Sequence, residues 1–248
     1  MDILLYVIIF LYGIVIGSFL NVCILRIPLK ETIITERSHC MNCGSVLKWY
    51  ELIPLFSFLF QRGRCRHCKC RISIQYPIVE FANGCIYVLV FAVNGMEVTS
   101  ILFALGASAL LALSVIDART QEIPFGFNVF LFVLGAVRMV LDLTHWYVYV
   151  IGFFAVSVFF LLIILITRGR GLGGGDCKLM AGAGMLLGWQ DIILAMVLGC
   201  ILGVFIHVPL MKWGHKDRVL SFGPYLSAGI FISMLWGGQI ISWYLSCF

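Results

Sequence analysis

The first place where this chain invites chemistry is a carboxylate at the end of three glycines, Asp176 in GLGGGDCKLM. A second carboxylate, Asp117, closes an apolar segment in LALSVIDARTQEIP. Ionisable groups at the ends or interiors of apolar segments are costly to bury, so each starts as a functional hypothesis. Two aspartates brought to one depth by different helices can share a water, as aspartic-protease chemistry requires. One takes the water's proton while the other, protonated, polarises a peptide carbonyl. Taken singly, each aspartate reads as a helix-end group beside loop water. The triple glycine shifts the balance, because it carries a heavy entropic cost and lets a backbone approach another group closely. Gly169, Gly171 and Gly174 also spell G-x-G-x-x-G, but an apolar span rather than a Rossmann strand precedes them.

A second constellation lies in HCMNCGSVLKWYELIPLFSFLFQRGRCRHCKC. Cys40-x-x-Cys43 and Cys65-x-x-Cys68 have the spacing of a four-cysteine zinc ribbon, and Gly44 and Gly63 are expected to help the backbone turn around an ion. The alternative is a set of free or redox-active thiols. A reducing compartment favours metal over disulfides. Cys70, His39 and His67 are second-choice ligands. A catalytic zinc needs an open position and a general base beside it, which this stretch does not supply, so the zinc is expected to be structural. Cys23, Cys85, Cys177, Cys200 and Cys247 read as small packing residues.

These residues must be positioned by membrane-spanning elements. The chain is 62% hydrophobic and 12% charged, with mean hydropathy +1.05, and its apolar runs repeat to the C-terminus. That pattern excludes a lone signal peptide and a single soluble core. The fold expected is all-α, a polytopic membrane protein of about eight helices near 3–25, 72–93, 99–117, 125–141, 147–167, 177–189, 191–211 and 223–246. The sixth segment is short, which leaves it tilted, joined to its neighbour or half re-entrant. Three parts follow: a first helix (1–25), a basic zinc-binding insertion (26–71) and the remaining helices (72–248). WYELIPLFSFLF is too short to span and is expected to lie among lipid headgroups.

Orientation follows from the cations. Nine of the 17 lysines and arginines lie between Arg26 and Arg71, against Glu31, Glu36 and Glu51. Arg168, Arg170, Lys178, Lys212, Lys216 and Arg218 cluster in other loops. The positive-inside rule puts these loops in the cytoplasm, both aspartates at the cytoplasmic boundary and, with eight spans, both termini outside. The basic insertion reads as topological bias and attraction to anionic lipid; without a recognition motif, nucleic acid is not an expected partner. Asp142 and His145 fall in an outside loop, His207 and His215 flank the seventh span, and Gly184-x-x-x-Gly188 would allow close helix packing around Asp176. Asp117 ends a helix, while Asp176 begins one with Lys178 nearby. The proton of the pair is therefore expected on Asp117 and the charge on Asp176, with Arg119 opposing.

GLGGGDCKL resembles the GxGD signature of membrane aspartyl peptidases. GSFLNVCILRIP at 17–28, the paired CxxC, QYPIVE at 75–80, the Asp117 segment and GxGD then stand in the order of the bacterial type IV prepilin peptidases, or leader peptidase/N-methyltransferases. The resemblance covers essentially the whole chain. It implies that Asp117 and Asp176 are catalytic and that Cys40, Cys43, Cys65 and Cys68 hold zinc. It also implies removal of a basic leader from prepilins or pseudopilins after a glycine, at the cytoplasmic face of the inner membrane. Methylation of the new N-terminus with S-adenosylmethionine would follow. Phe125 stands where that family usually has an acid after Ile-Pro. Asn21 and Glu80 fall in family motifs, with interfacial hydrogen bonding as their simpler role. A transporter using membrane aspartates to couple protons or cations is the rival reading, though no inverted repeat accompanies it. A non-enzymatic zinc-bearing scaffold is a third.

Overall fold

The computed structural model describes residues 2–33, 37–169, 171–212 and 221–247. Glu36, Arg170, His215, Lys216 and Arg218, and the side chains of His207 and Lys212, lie outside the described residues. Each of the eight apolar segments is helical, and among the described residues six helical stretches are long and apolar enough to cross a membrane. The chain divides into two compact units, Met1–Gly95 and Met96–Phe248.

The first unit is built on α1 (Asp2–Arg26) packed against α3 (Gln75–Asn94). The helices run antiparallel, and glycine lets their backbones meet. A Cβ on Gly13 would stand 2.7 Å from the Cα of Gly84, and one on Gly17 would stand 2.8 Å from the Cα of Glu80. Two amides tie the same face together. Asn83 donates to the Gly13 carbonyl at 2.7 Å, and Asn21 donates to the Tyr76 carbonyl at 3.1 Å. GSFLN and QYPIVE are therefore the two halves of one helix contact. Between them the chain forms a lobe containing the five-residue helix α2 (Phe56–Phe60) and two short turns closed by isolated bridges, His39 with Val46 and Arg64 with Arg71. The buried Arg26 fastens its start by donating to the carbonyls of Thr32 and Arg37.

The second unit holds α4 (Val98–Thr120), α5 (Phe125–Leu141), α6 (Trp146–Ala155), α7 (Ser157–Ile166), α8 (Gly174–Leu187), α9 (Trp189–Lys212) and α10 (Gly223–Ser246). The fifth apolar segment is broken at Val156 into α6 and α7, and the Cys177 thiol donates to the Ser157 carbonyl beside the break at 3.2 Å. Cys177 thus does more than pack.

The short sixth segment is a helix of its own. α8 has 14 residues, about 21 Å of rise, against a hydrocarbon core of about 30 Å. It touches α5, α6, α7, α9 and α10, and every residue from Leu179 to Leu187 is buried. Protein rather than lipid surrounds it, so its length is not set by the bilayer. Gly184 lies directly against Gly152 of α6, whereas Gly188, at φ +97°, ends the helix over Val148. The glycine pair therefore packs the far end of α8, about 12 Å or more along the helix from Asp176. There Arg138 donates to the Leu186 carbonyl and lies over the rings of Phe103 at 4.7 Å and Tyr149 at 5.4 Å. Beyond it Asp142 binds His145 at 3.0 Å and accepts from the Tyr149 hydroxyl at 3.0 Å.

Candidate active site and candidate metal centre

Three helix ends of the second unit converge around the aspartates. Asp117 lies in the last turn of α4, which stops because Gln121 takes a left-handed φ of 57° and returns its N–H to the Asp117 carbonyl at 2.9 Å. The carboxylate is 4% exposed. Its Oδ2 accepts the N–H of Gly223, the first residue of α10, at 3.1 Å across a separation of 106 residues. A Cβ at Gly223 would lie 2.7 Å from that oxygen, so glycine allows the approach.

Asp176 is 8% exposed and stands in the first turn of α8. Gly173 caps the helix and lies close to the Asp176 carboxylate, since a Cβ there would stand 3.2 Å from its Oδ2. Of the three glycines, Gly175 makes the close approach, since its Cβ would stand 3.0 Å from the Cβ of Ile123 in the turn after Asp117. That contact joins the two aspartate segments. The helix-end asymmetry expected from sequence is offset at Asp117, because a second helix begins against it. Lys178 stands over the ring of Phe125 at 5.4 Å, so the residue that departs from the family pattern engages the cation beside Asp176.

Gly223 carries no sequence signal for this role. Gly-Pro ahead of an apolar run marks a helix start, but not the carboxylate that the start meets.

The four sulfurs of Cys40, Cys43, Cys65 and Cys68 lie within 4.8 Å of one another. Zinc–sulfur bonds of about 2.3 Å set tetrahedral edges of about 3.8 Å, and Cys40 and Cys68 are 3.8 Å apart. The donor set fits a closed zinc site. The two knuckles share one pattern. Gly44 N–H donates to the Cys40 carbonyl at 2.8 Å, and Lys69 N–H donates to the Cys65 carbonyl at 3.0 Å. Both residues are left-handed, at φ 69° and 59°. The counterpart of Gly44 is therefore Lys69; Gly63 closes a different turn, onto the Phe58 carbonyl.

Hydrogen bonds also prepare the thiols. Ser45 at Cys43, the Cys68 N–H at Cys65 and the Cys70 N–H at Cys68 hold these three below the usual thiol range. Cys70 lies 3.7 Å from Cys40, and its bond to the Cys68 sulfur pushes it up to about 12, which keeps it a donor beside the cluster.

Glu80 and Glu51 are buried carboxylates that serve the lobe. Glu80 accepts the N–H of Leu55 at 2.7 Å, holding a leucine at φ 60° ahead of α2. Glu51 accepts the Lys48 N–H at 2.9 Å and lies 3.8 Å from Arg66 in the second knuckle.

Comparison with known proteins follows the same division of the chain. Residues 11–93 match the family model for the bacterial peptidase A24 N-terminal domain, and residues 104–208 match that for the type IV leader peptidase family. A prepilin leader peptidase/N-methyltransferase of Bacillus subtilis (strain 168) is 34% identical over 241 residues, covering 96% of this chain and 97% of its own. Proteins of the same name from Pseudomonas putida and Aeromonas hydrophila are 31% and 30% identical, covering 92% and 97% of this chain and 89% and 93% of their own. No solved structure matches the chain.

Proposed function

Because the chain belongs to the type IV leader peptidase family, we propose that it is an aspartic endopeptidase of the inner membrane that removes the short basic leader of type IV prepilins or pseudopilins after a glycine. The observation that carries the assignment is that Asp117 and Asp176 are both buried, in segments joined through Ile123 and Gly175, with the start of α10 against Asp117. Two carboxylates that share one proton would supply a base and an acid. The ionised member takes a proton from water as the oxygen attacks the scissile carbonyl carbon. The protonated member hydrogen-bonds the carbonyl oxygen, which gains the negative charge. Passing a proton to the departing amine then lets the C–N bond break. The Gly223 N–H fixes the rotamer of Asp117 during these steps.

Cys40, Cys43, Cys65 and Cys68 would hold a structural zinc, whose bonds cross-link the two knuckles of an otherwise small lobe. The proposal includes S-adenosylmethionine-dependent methylation of the new N-terminus, in line with the names of the relatives. The donor is a sulfonium cation, and the cation-lined hollow in the zinc lobe (Arg62, Arg64, Arg66, Lys69) does not suit it; no residue is assigned to that transfer. The basic insertion and the aspartates are placed on the cytoplasmic side, with the N-terminus outside.

The test is cleavage of a purified basic-leader, single-helix pilin precursor by the full-length protein. Shortening of the precursor that requires both aspartates supports the assignment, while undiminished cleavage by D117N or D176N overturns it. For orientation, a cysteine at Lys48 should react with an impermeant reagent only from the cytoplasmic face.

A further inference from the structure

The zinc lobe carries a hollow, lined in part by the ligand Cys65, whose cationic side chains neither the cysteines nor the aspartates use. It lies beside the second knuckle, holds about 700 Å³, and its lining includes Phe60 and four exposed cations, Arg62, Arg64, Arg66 and Lys69. Glu51 lies 3.8 Å from Arg66. Among the described residues, Arg62, Arg64 and Lys69 have no acidic partner. The cluster sulfurs do not occupy them either, since Cys43 and Cys68 are served by Ser45, Asn42 and Cys70. Arg62 and Lys69 are also left-handed, at φ 51° and 59°. At Lys69 that conformation belongs to the zinc knuckle, whereas at Arg62 it is strain of the kind that collects at functional sites.

Glu80 ties the start of α2, whose last residue lines the hollow, to α3. Glu80 is the sixth residue of α3, about 7.5 Å along the helix from its start, and it holds the N–H immediately before α2. The exposed apolar side chains of α2, Phe56 at 50%, Leu59 at 70% and Phe60 at 81%, are thereby tied to the second turn of a membrane-spanning helix. Apolar side chains at that level with cations beside them match the boundary between acyl chains and headgroups.

We propose that the hollow binds the phosphate of an anionic phospholipid, with Phe56, Leu59 and Phe60 seated among the acyl chains beside it. Arginine forks suit phosphate oxygens in paired hydrogen bonds. A free anion would leave the apolar rim in water, and the basic leader of the proposed substrate would be repelled. The site is independent of the peptidase assignment.

The experiment is native mass spectrometry of the full-length protein with phosphatidylglycerol, phosphatidylcholine or inorganic phosphate. Wild type should retain phosphatidylglycerol over phosphatidylcholine. The triple variant R62Q/R64Q/K69Q should retain at least tenfold less phosphatidylglycerol, given about fivefold per cation at an anionic surface. R168Q, in another basic loop, should match wild type. Equal retention by the triple variant, an equal loss in R168Q, or displacement of the lipid by millimolar phosphate would each overturn the proposal. Should the triple variant lose its zinc and its fold, a benzophenone amino acid at Phe60 gives a second reading. It should cross-link lipid in phosphatidylglycerol nanodiscs several-fold more than in phosphatidylcholine, and equal yields would refute the site.

Discussion

In the cysteine lobe, the four candidate zinc ligands and the bonds that orient their turns come from one stretch, residues 40–70. Around the aspartates, the nearest partners are brought together from α4, α8 and α10, and Gly223 lies 106 residues from the carboxylate it meets. The first site is made by short turns and the second by the packing of long helices. A local site depends on its metal and turn residues, while an assembled one depends on contacts far along the chain. The two should therefore fail separately and through different substitutions.

The largest effect is expected from D117N and D176N, each lowering precursor cleavage by about 10³-fold, measured by the shift of the product on a gel. Metal analysis of both variants should still give one zinc per chain; loss of zinc in either would break the separation. Next in size is C40S/C65S, which should lose the zinc and hydrogen-exchange protection across residues 40–70. Its cleavage should fall less than in either aspartate variant. G223A follows, because a Cβ 2.7 Å from Asp117 Oδ2 must displace that carboxylate. A shift of about 1 Å at a reacting group costs up to about 100-fold, so kcat should drop by about 10- to 100-fold with unchanged zinc. Wild-type kcat in G223A would remove α10 from the site.

The smaller predictions separate the knuckles. K69G replaces a left-handed lysine with the residue found at the matching position, Gly44. It should steady the second knuckle by about 1 kcal/mol, read as tighter zinc retention against a chelator. C70S should leave zinc content unchanged, since the sulfurs of Cys40, Cys43, Cys65 and Cys68 already make a complete four-ligand set; loss of the metal in this variant would exchange Cys70 for one of the four.

The same contrast explains what could be read before the fold was known. The eight helical segments were legible because hydropathy acts over twenty residues at a time, and the cysteine cluster because its geometry follows from CxxC spacing. Asp176 was visible through its glycines. The break at Val156 was not, since no proline or glycine marks it and the Ser157 carbonyl is met from α8. Lys69 hid its role because lysine is not a usual left-handed residue. Glu80 could be placed in a motif, but its bond to Leu55 depends on the return of the lobe against α3. Gly223 was out of reach, because a neighbouring helix's start is a tertiary fact.

The enclosure of α8 also bears on how the protein is made. A 14-residue helix is too short for the bilayer to hold by itself, and Gly188 joins it to α9 without a linker. As the chain leaves the ribosome, α8 has to wait for α9 and enter beside it, among α5, α6 and α7 already in place. α10 emerges after all of these and brings the N–H that steadies Asp117. The catalytic pair we propose would then be complete only once the start of α10 has emerged. A nascent chain arrested after Leu187 should leave Asp176 open to water-soluble labels, and one extended through α9 should begin to protect it.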